Sequence, residues 1–254
     1  MTEPRFRERG VTELVDAAFT LYRQHAGTYM VAGAIAYTPL LLLRLVLIGG
    51  NEGVSLASIL LWALFGLVSL VTYSLMTGLI ATIGSRSYLG EEVDLAEALR
   101  EVRPRLGTLI RASINKNIYI GFGAFLLLVG AFYFATTLFA VEQVVILERA
   151  SSQEAMKRSG TLSDGRKGHI FLALLLVYVI YFVLSGGAAV AVAFSKSAVL
   201  NEVISTLSAI VLYPMIGLTQ LMLYYDARIR AEGMDLDVMA ARLDRAPAGG
   251  APSA

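Results

Sequence analysis

The sequence predicts an all-α polytopic membrane protein: six transmembrane helices paired as three hairpins, each hairpin preceded by a cytoplasmic amphipathic helix. Three observations lead there. Apolar residues make up 56% of the 254 residues and charged residues 16%, against about 25% charged in an ordinary soluble domain. The missing charges leave uncharged blocks of about 20 residues or more, the length a helix needs to cross hydrocarbon. Finally, of the 21 Lys and Arg, all but Arg44, Lys116 and Lys196 fall in segments that six crossings place on one side, which the positive-inside rule makes cytoplasmic.

The elements follow in order. Arg5, Arg7 and Arg9 open the chain, and the first apolar block begins about 28 residues in, later than the core of a cleaved signal peptide. Before it, Val11, Leu14, Val15, Ala18, Phe19 and Tyr22 recur at helical spacing and predict an amphipathic helix. The first crossing is expected at about 28–48, containing Pro39 and one charge, Arg44, close enough to the outer end to snorkel. The second, at about 57–84, is uncharged. Asp94 and Glu97 then give a helix start signal ahead of Leu95, Leu99 and Val102, with a stop near Pro104.

The block from Gly107 to Glu148 decides the topology. As one helix it would be about 63 Å long at 1.5 Å per residue, twice the hydrocarbon thickness, and it has cations on both flanks. Two crossings are therefore expected, about 107–129 and 131–148, with a turn near Gly130. Ser151 and Glu154 have the capping-box spacing and begin a third amphipathic helix through Ala155 and Met156. Crossings five and six follow at about 169–194 and 200–225. Gly186-Gly187-Ala188-Ala189 should let the fifth pack closely on a neighbour, and Pro39 and Pro214 should kink the first and sixth. The outer loops hold Glu52, Lys196 and Glu202, both termini are cytoplasmic, and residues 1–236 form one domain. A cytoplasmic tail at 237–254 is expected to be disordered after about 246.

Glu97-Ala98-Leu99-Arg100 and Glu154-Ala155-Met156-Lys157 are alike, and Gly27-Thr28 matches Gly107-Thr108. The chain thus reads as three weak repeats of amphipathic helix plus hairpin. Leu147-Glu148 with Glu154-Ala155, Arg158-Ser159, Leu162 and Gly165, the opening Glu13 to Arg23, and above all the run Leu223 to Leu236 resemble a bacterial membrane family. It is named for the membrane domain fused to some glycerophosphoryl diester phosphodiesterases. In that run Asp226, Arg228, Arg230, Glu232, Gly233 and Asp235 carry the likeness. The sequence departs from the family pattern at Gly160, where an aromatic is frequent, and in lacking a Pro-Gly turn between crossings three and four. The resemblance implies a multi-pass protein of the bacterial cytoplasmic membrane with no settled activity. It supplies no phosphodiesterase barrel, which needs about 250 residues of alternating strands and helices.

Composition and motifs exclude more chemistry than they suggest. A net charge of +1 gives no field for nucleic acid, and the absence of Cys excludes thiol catalysis and thiolate metal sites. His25 and His169 are the only histidines and lie at the cytoplasmic edge, so a Ser-His protease within the membrane has no base. Gly160 to Lys167 echoes a P-loop, but its Lys is one place late and no strand precedes it. No catalytic residue, metal or cofactor is expected, and the chain is read as not an enzyme.

Polar residues at membrane depth are the stronger candidates. Lys116 and Glu142 come to one depth in an antiparallel hairpin and are read as a structural pair, with an ion or proton relay as the functional alternative. Asn115, Gln143 and Gln220 would join them in a polar seam. On the cytoplasmic side two cation clusters, Arg100, Arg103 and Arg105 in one and Lys157, Arg158, Arg166 and Lys167 in the other, are positioned for anionic headgroups. The charge-dense exit from the sixth crossing, Asp226, Arg228, Arg230, Glu232, Asp235 and Asp237, is read as an elbow docked by salt bridges to the basic cytoplasmic helices, with a partner-docking site as the functional alternative, and Glu148, Arg158 and Ser159 complete the cytoplasmic motif. The expected partners are membrane lipids, anionic ones included, and a membrane-protein partner or second copy. The function expected is membrane organisation, with a small transporter or channel using Lys116 and Glu142 as the alternative.

Overall fold

The computed structural model describes residues 8–49, 55–125, 129–193 and 197–232. Every regular element among them is helical: α1 Val11–Gln24, α2 Ala26–Gly49, α3 Leu56–Leu89, α4 Leu95–Val102, α5 Leu106–Phe125, α6 Val129–Thr137, α7 Val141–Leu147, α8 Ser152–Ser163, α9 Lys167–Ala193 and α10 Ala198–Glu232. A 3-10 turn, Arg103–Arg105, joins α4 directly to α5, so Pro104 lies in a passage between helices. Local chemistry accounts for the starts: Asp94 accepts from the backbone N–H groups of Ala96 and Glu97, and Ser151 and Glu154 form a reciprocal box. Gly90 closes α3 at φ 80°, a conformation that suits a residue without Cβ.

Five stretches are long and apolar enough to cross a membrane: Ala26–Gly49, Leu56–Leu89, Val129–Leu147, Lys167–Val190 and Ala198–Glu232. Their outward faces are apolar too, with Leu42, Leu60, Phe182 and Val183 all more than half exposed. A soluble protein rarely leaves apolar surface on that scale in water, so the surrounding solvent is hydrocarbon. α5 is not among the five because Arg111, Asn115, Lys116 and Asn117 dilute its apolar content.

The core gathers toward one end. The later turns of α3 (Met76, Leu79, Ile80, Ile83) and α10 (Leu218, Leu221, Tyr224) are buried against Leu14 and Ala18 of α1, Ala98 and Val102 of α4, and Val144 of α7. Small residues set the spacing there: a Cβ on Gly84 would come within 2.6 Å of both Leu218 and Leu221, and one on Gly217 within 2.8 Å of Ile80.

Several expectations are corrected. The turn expected near Gly130 lies close by, since α5 ends at Phe125 and α6 begins at Val129; Gly130 itself is helical, and residues 126–128 lie outside the described set. Gly130 instead packs backbone to backbone against Gly123, while the Tyr119 and Phe134 rings lie 5.7 Å apart, so α5 and α6 run antiparallel. The fourth stretch is not one helix over 131–148; it breaks between Thr137 and Val141. Gly186 and Gly187 make no close approach, since a Cβ on either meets nothing within 4 Å. Arg44 does not simply snorkel: its Nε donates to Glu202 at 3.3 Å, and its guanidinium lies 5.1 Å from the Trp62 ring centre. Glu202 is accordingly part of α10 and not of a loop. Glu52, Lys196 and the tail from residue 237 lie outside the described residues.

Candidate functional site

An ion pair lies within the helix bundle. Lys116 of α5 meets the carboxylate of Glu142 in α7, with the Lys 6% and the Glu 0% exposed. The ammonium also donates to Tyr73 Oη of α3 at 3.4 Å and lies 5.8 Å from that ring centre. Tyr178 and Tyr213 come within electrostatic reach of Glu142, and the Tyr213 ring lies against Tyr73 at 5.9 Å. Apart from the ammonium, the Glu142 carboxylate has no partner: neither oxygen accepts a hydrogen bond of ordinary geometry. Gln143, 1% exposed, also leaves its Oε1 unpartnered.

The helix break presents Glu142. Ser159 of α8 donates its Oγ to the Thr137 carbonyl at 2.8 Å and accepts from the Ala140 N–H at 3.1 Å. One hydroxyl thereby satisfies two backbone groups that the interrupted ladder exposes. α7 restarts at Val141 and turns Glu142 inward. Asn115 does not join the pair but donates to Ser152 Oγ at 3.1 Å, and Gln220, buried in α10, hydrogen-bonds to none of these side chains. Tyr73 escapes a reading of the sequence, because a Tyr within an apolar helix carries no pairing signal.

A second constellation joins α7, α8 and α10. Arg158 donates its Nε to both carboxylate oxygens of Glu148, at 3.2 and 3.0 Å, and pairs through its other arm with Glu232. Burial pushes the Arg158 guanidinium down, but the bonds to Glu148 and Glu232 outweigh it and hold the group above its ordinary value. Glu148 also accepts from Tyr224 Oη at 3.0 Å, and Arg228 bridges Glu232 and Tyr224. One turn away, Asp226 accepts from the Arg9 N–H and from Arg230 Nε, both at 2.8 Å. Arg230 continues to Glu8 and to the Arg9 carbonyl. Gly233 and Asp235 lie outside the described residues.

The two cation clusters differ. Arg166 donates to the Ala227 carbonyl, and Lys167 pairs with Asp164 beneath the Tyr133 ring. Lys157, Arg100 and Arg103 are exposed. Arg105 donates to the Arg149 carbonyl at 2.7 Å, across an open pocket of about 310 Å³ lined by Glu101, Pro104, Arg105, Ile146 and Arg149. Arg149 holds φ at 57°. Among the described residues no group of three or more His, Asp and Glu is placed to hold a metal ion. In comparisons with known proteins, no family model, curated protein or solved structure matches the chain.

Proposed function

We propose that this is an integral membrane protein of six crossings, with both termini cytoplasmic, that organises lipid or a membrane partner and is not an enzyme. The sixth crossing is α5, which runs antiparallel to α6 and must share its depth. One observation carries the functional reading. The amphipathic helices α1, α4 and α8 dock by their apolar sides, through Leu14, Ala18, Ala98, Val102, Ala155 and Leu162, at the end of the core where α3 and α10 finish, and face outward with charge. A rim of that kind lies at headgroup level and attracts anionic lipid. The same reading makes the chain a relative of the bacterial membrane-domain family it resembles, and places it in the cytoplasmic membrane. In support, residues that carry that likeness are engaged in the fold: Glu148 and Arg158 join α7 and α8 to Tyr224 and Glu232 of α10, Ser159 bonds both sides of the α6–α7 break, and Asp226 and Arg230 hold the segment ahead of α1.

The unpartnered Glu142 Oε2 and Gln143 Oε1 favour a second reading, a small transporter with its polar site at Lys116 and Glu142. Reconstitution separates the two. On the first reading, protein in vesicles leaves proton and ion permeability at the protein-free level and carries anionic lipid through detergent extraction. Flux that disappears in Glu142→Gln would decide for the transporter. Orientation is tested by single cysteines at exposed positions, since the chain has none: Ser55 and Asn201 should react with an impermeant reagent on intact cells, and Gln153 should not.

A further inference from the structure

The cations at the rim divide by partner. Arg86 is held by Glu97 and Glu101, Arg158 by Glu148 and Glu232, Arg166 by the Ala227 carbonyl and Lys167 by Asp164. Arg100, Arg103 and Arg111 are exposed and, among the described residues, enter no ion pair and no side-chain hydrogen bond. The acids of α4, Glu97 and Glu101, are bonded to Arg86, and Glu97 feels Arg100 only at longer range.

These three arginines head a continuous helical face. Arg100, Arg103, Gly107 and Arg111 recur at three- and four-residue steps through α4, the 3-10 turn and α5, and the face continues as Ile114, Ile118, Phe122 and Phe125. All four apolar members are exposed, Ile118 by 61% and Phe125 by 87%. Ile114 to Phe125 spans about 16 Å at 1.5 Å per residue, close to half of a hydrocarbon core of about 30 Å. The face is therefore one leaflet deep, basic at its surface end and apolar below. Gly107 leaves the space among the arginines open, with nothing within 4 Å of a Cβ placed there.

We infer that this face is a binding site for one phospholipid with a net negative headgroup, its phosphate taken by Arg103 and Arg111 with Arg100 behind, and an acyl chain along Ile114, Ile118, Phe122 and Phe125. Guanidinium forks fit phosphate oxygens two at a time. A zwitterionic headgroup would bring its ammonium into the field of three exposed cations that form no ion pair, so charge selects the anionic class. The inference rests on reading the chain as a lipid-interacting membrane protein and narrows that reading to one face, away from the committed cations of α8.

The test uses the full chain in vesicles of equal phosphatidylglycerol and phosphatidylcholine, with a photo-crosslinking amino acid at Ile118. At about fivefold per cation, the phosphatidylglycerol adduct should exceed the phosphatidylcholine adduct by at least about tenfold, and Arg100→Gln, Arg103→Gln and Arg111→Gln together should bring the ratio to parity. Lys at the three positions keeps the charge, so it should preserve most of the enrichment; this guards against misfolding of the Gln variant. Equal adducts of both lipids in the unaltered rim, or crosslinks to residues 233–254 or to a second copy, overturn the site. If phosphatidylglycerol is still enriched after extraction in those cases, the lipid-interacting reading survives. If neither adduct nor extract favours it, both fall.

Discussion

Lys116 and Glu142 show how a single residue's cost reveals its partner. Either charge alone in the bundle interior would be strongly unfavourable, so a Lys and a Glu in two adjoining apolar segments point to each other in the sequence. Tyr73 and the second oxygen of Glu142 are not legible there, because each depends on how the helices are rotated. Lys116→Ala or Glu142→Ala should each lower stability in detergent by about 3–5 kcal/mol, and the double variant should recover part of the loss; strictly additive thermal shifts would show that the two do not interact. Ser159 is the opposite case. A small polar residue in an amphipathic helix gives no sign that it bonds a distant backbone, yet its hydroxyl serves both sides of the α6–α7 break. Ser159→Ala leaves the buried Ala140 N–H without a partner and should cost about 1–3 kcal/mol, read as a drop in melting temperature. Ser159→Thr, which keeps the hydroxyl, should recover part of it.

Helices were legible wherever their signals are local. Asp94 and Ser151 mark starts through bonds to their own neighbours, and these starts lie where the sequence puts them, whereas α3 runs on past the expected end at about 84 to its cap at Gly90. The α5–α6 reversal is legible as a turn near Gly130 from the length of the block and its flanking cations, but not to the residue, and the α6–α7 break is not legible at all, because neither has a Pro or a polar loop to mark it. Glycines make the same point. Gly186 and Gly187 look like a packing stripe but face open space, whereas Gly123 looks ordinary and meets the Gly130 backbone. Gly123→Ala should therefore force α5 and α6 apart and lower the melting temperature by several degrees, while Gly186→Ala should leave it unchanged or slightly raised. Melting curves of the two variants in the same detergent make the comparison. The docking of α4 on α3 should depend on pH. The Arg86 guanidinium, bonded at 2.5 Å, holds the Glu97 carboxyl below its usual value. Because the folded value is the depressed one, the contribution is fully present above the unfolded value of about 4.3 and is lost as pH falls through the folded value. Carboxyl NMR of labelled Glu should show this depressed midpoint, and Arg86→Gln should return it toward the ordinary value.

At the scale of the whole molecule, the end of α10 ties the rim together. Asp226 takes the Arg9 N–H, Arg230 reaches Glu8 and the Arg9 carbonyl, Arg166 reaches the Ala227 carbonyl, and Glu232 pairs with Arg158. The entry to α1, the turn after α8 and α8 itself are thus fastened to one helical segment, although about 220 residues of chain separate Arg9 from Arg230. The sequence supplies the charges of this segment and the expectation that they dock against basic helices. It does not supply the pairing, because nearly every acid at this end has several cations at comparable distance along the chain. Among the described acids of this end, Asp226 stands out by being 4% exposed, with His169 Nε2 3.7 Å from its carboxylate. Losing this buried carboxylate takes away the acceptor that the Arg9 N–H and Arg230 Nε share, and leaves Arg230 only its contacts to Glu8 and the Arg9 carbonyl. Asp226→Ala should therefore release the N-terminal segment and leave the long helices inserted, since their apolar faces are untouched. Limited proteolysis of inside-out membrane vesicles reads this directly: cleavage near Arg9 should rise several-fold in Asp226→Ala, while the yield of inserted protein stays level. Arg228→Ala, which removes only contacts to Glu232 and Tyr224, should leave cleavage near Arg9 at its original rate. If both variants cut alike, Asp226 is not what fastens α1 to the end of α10.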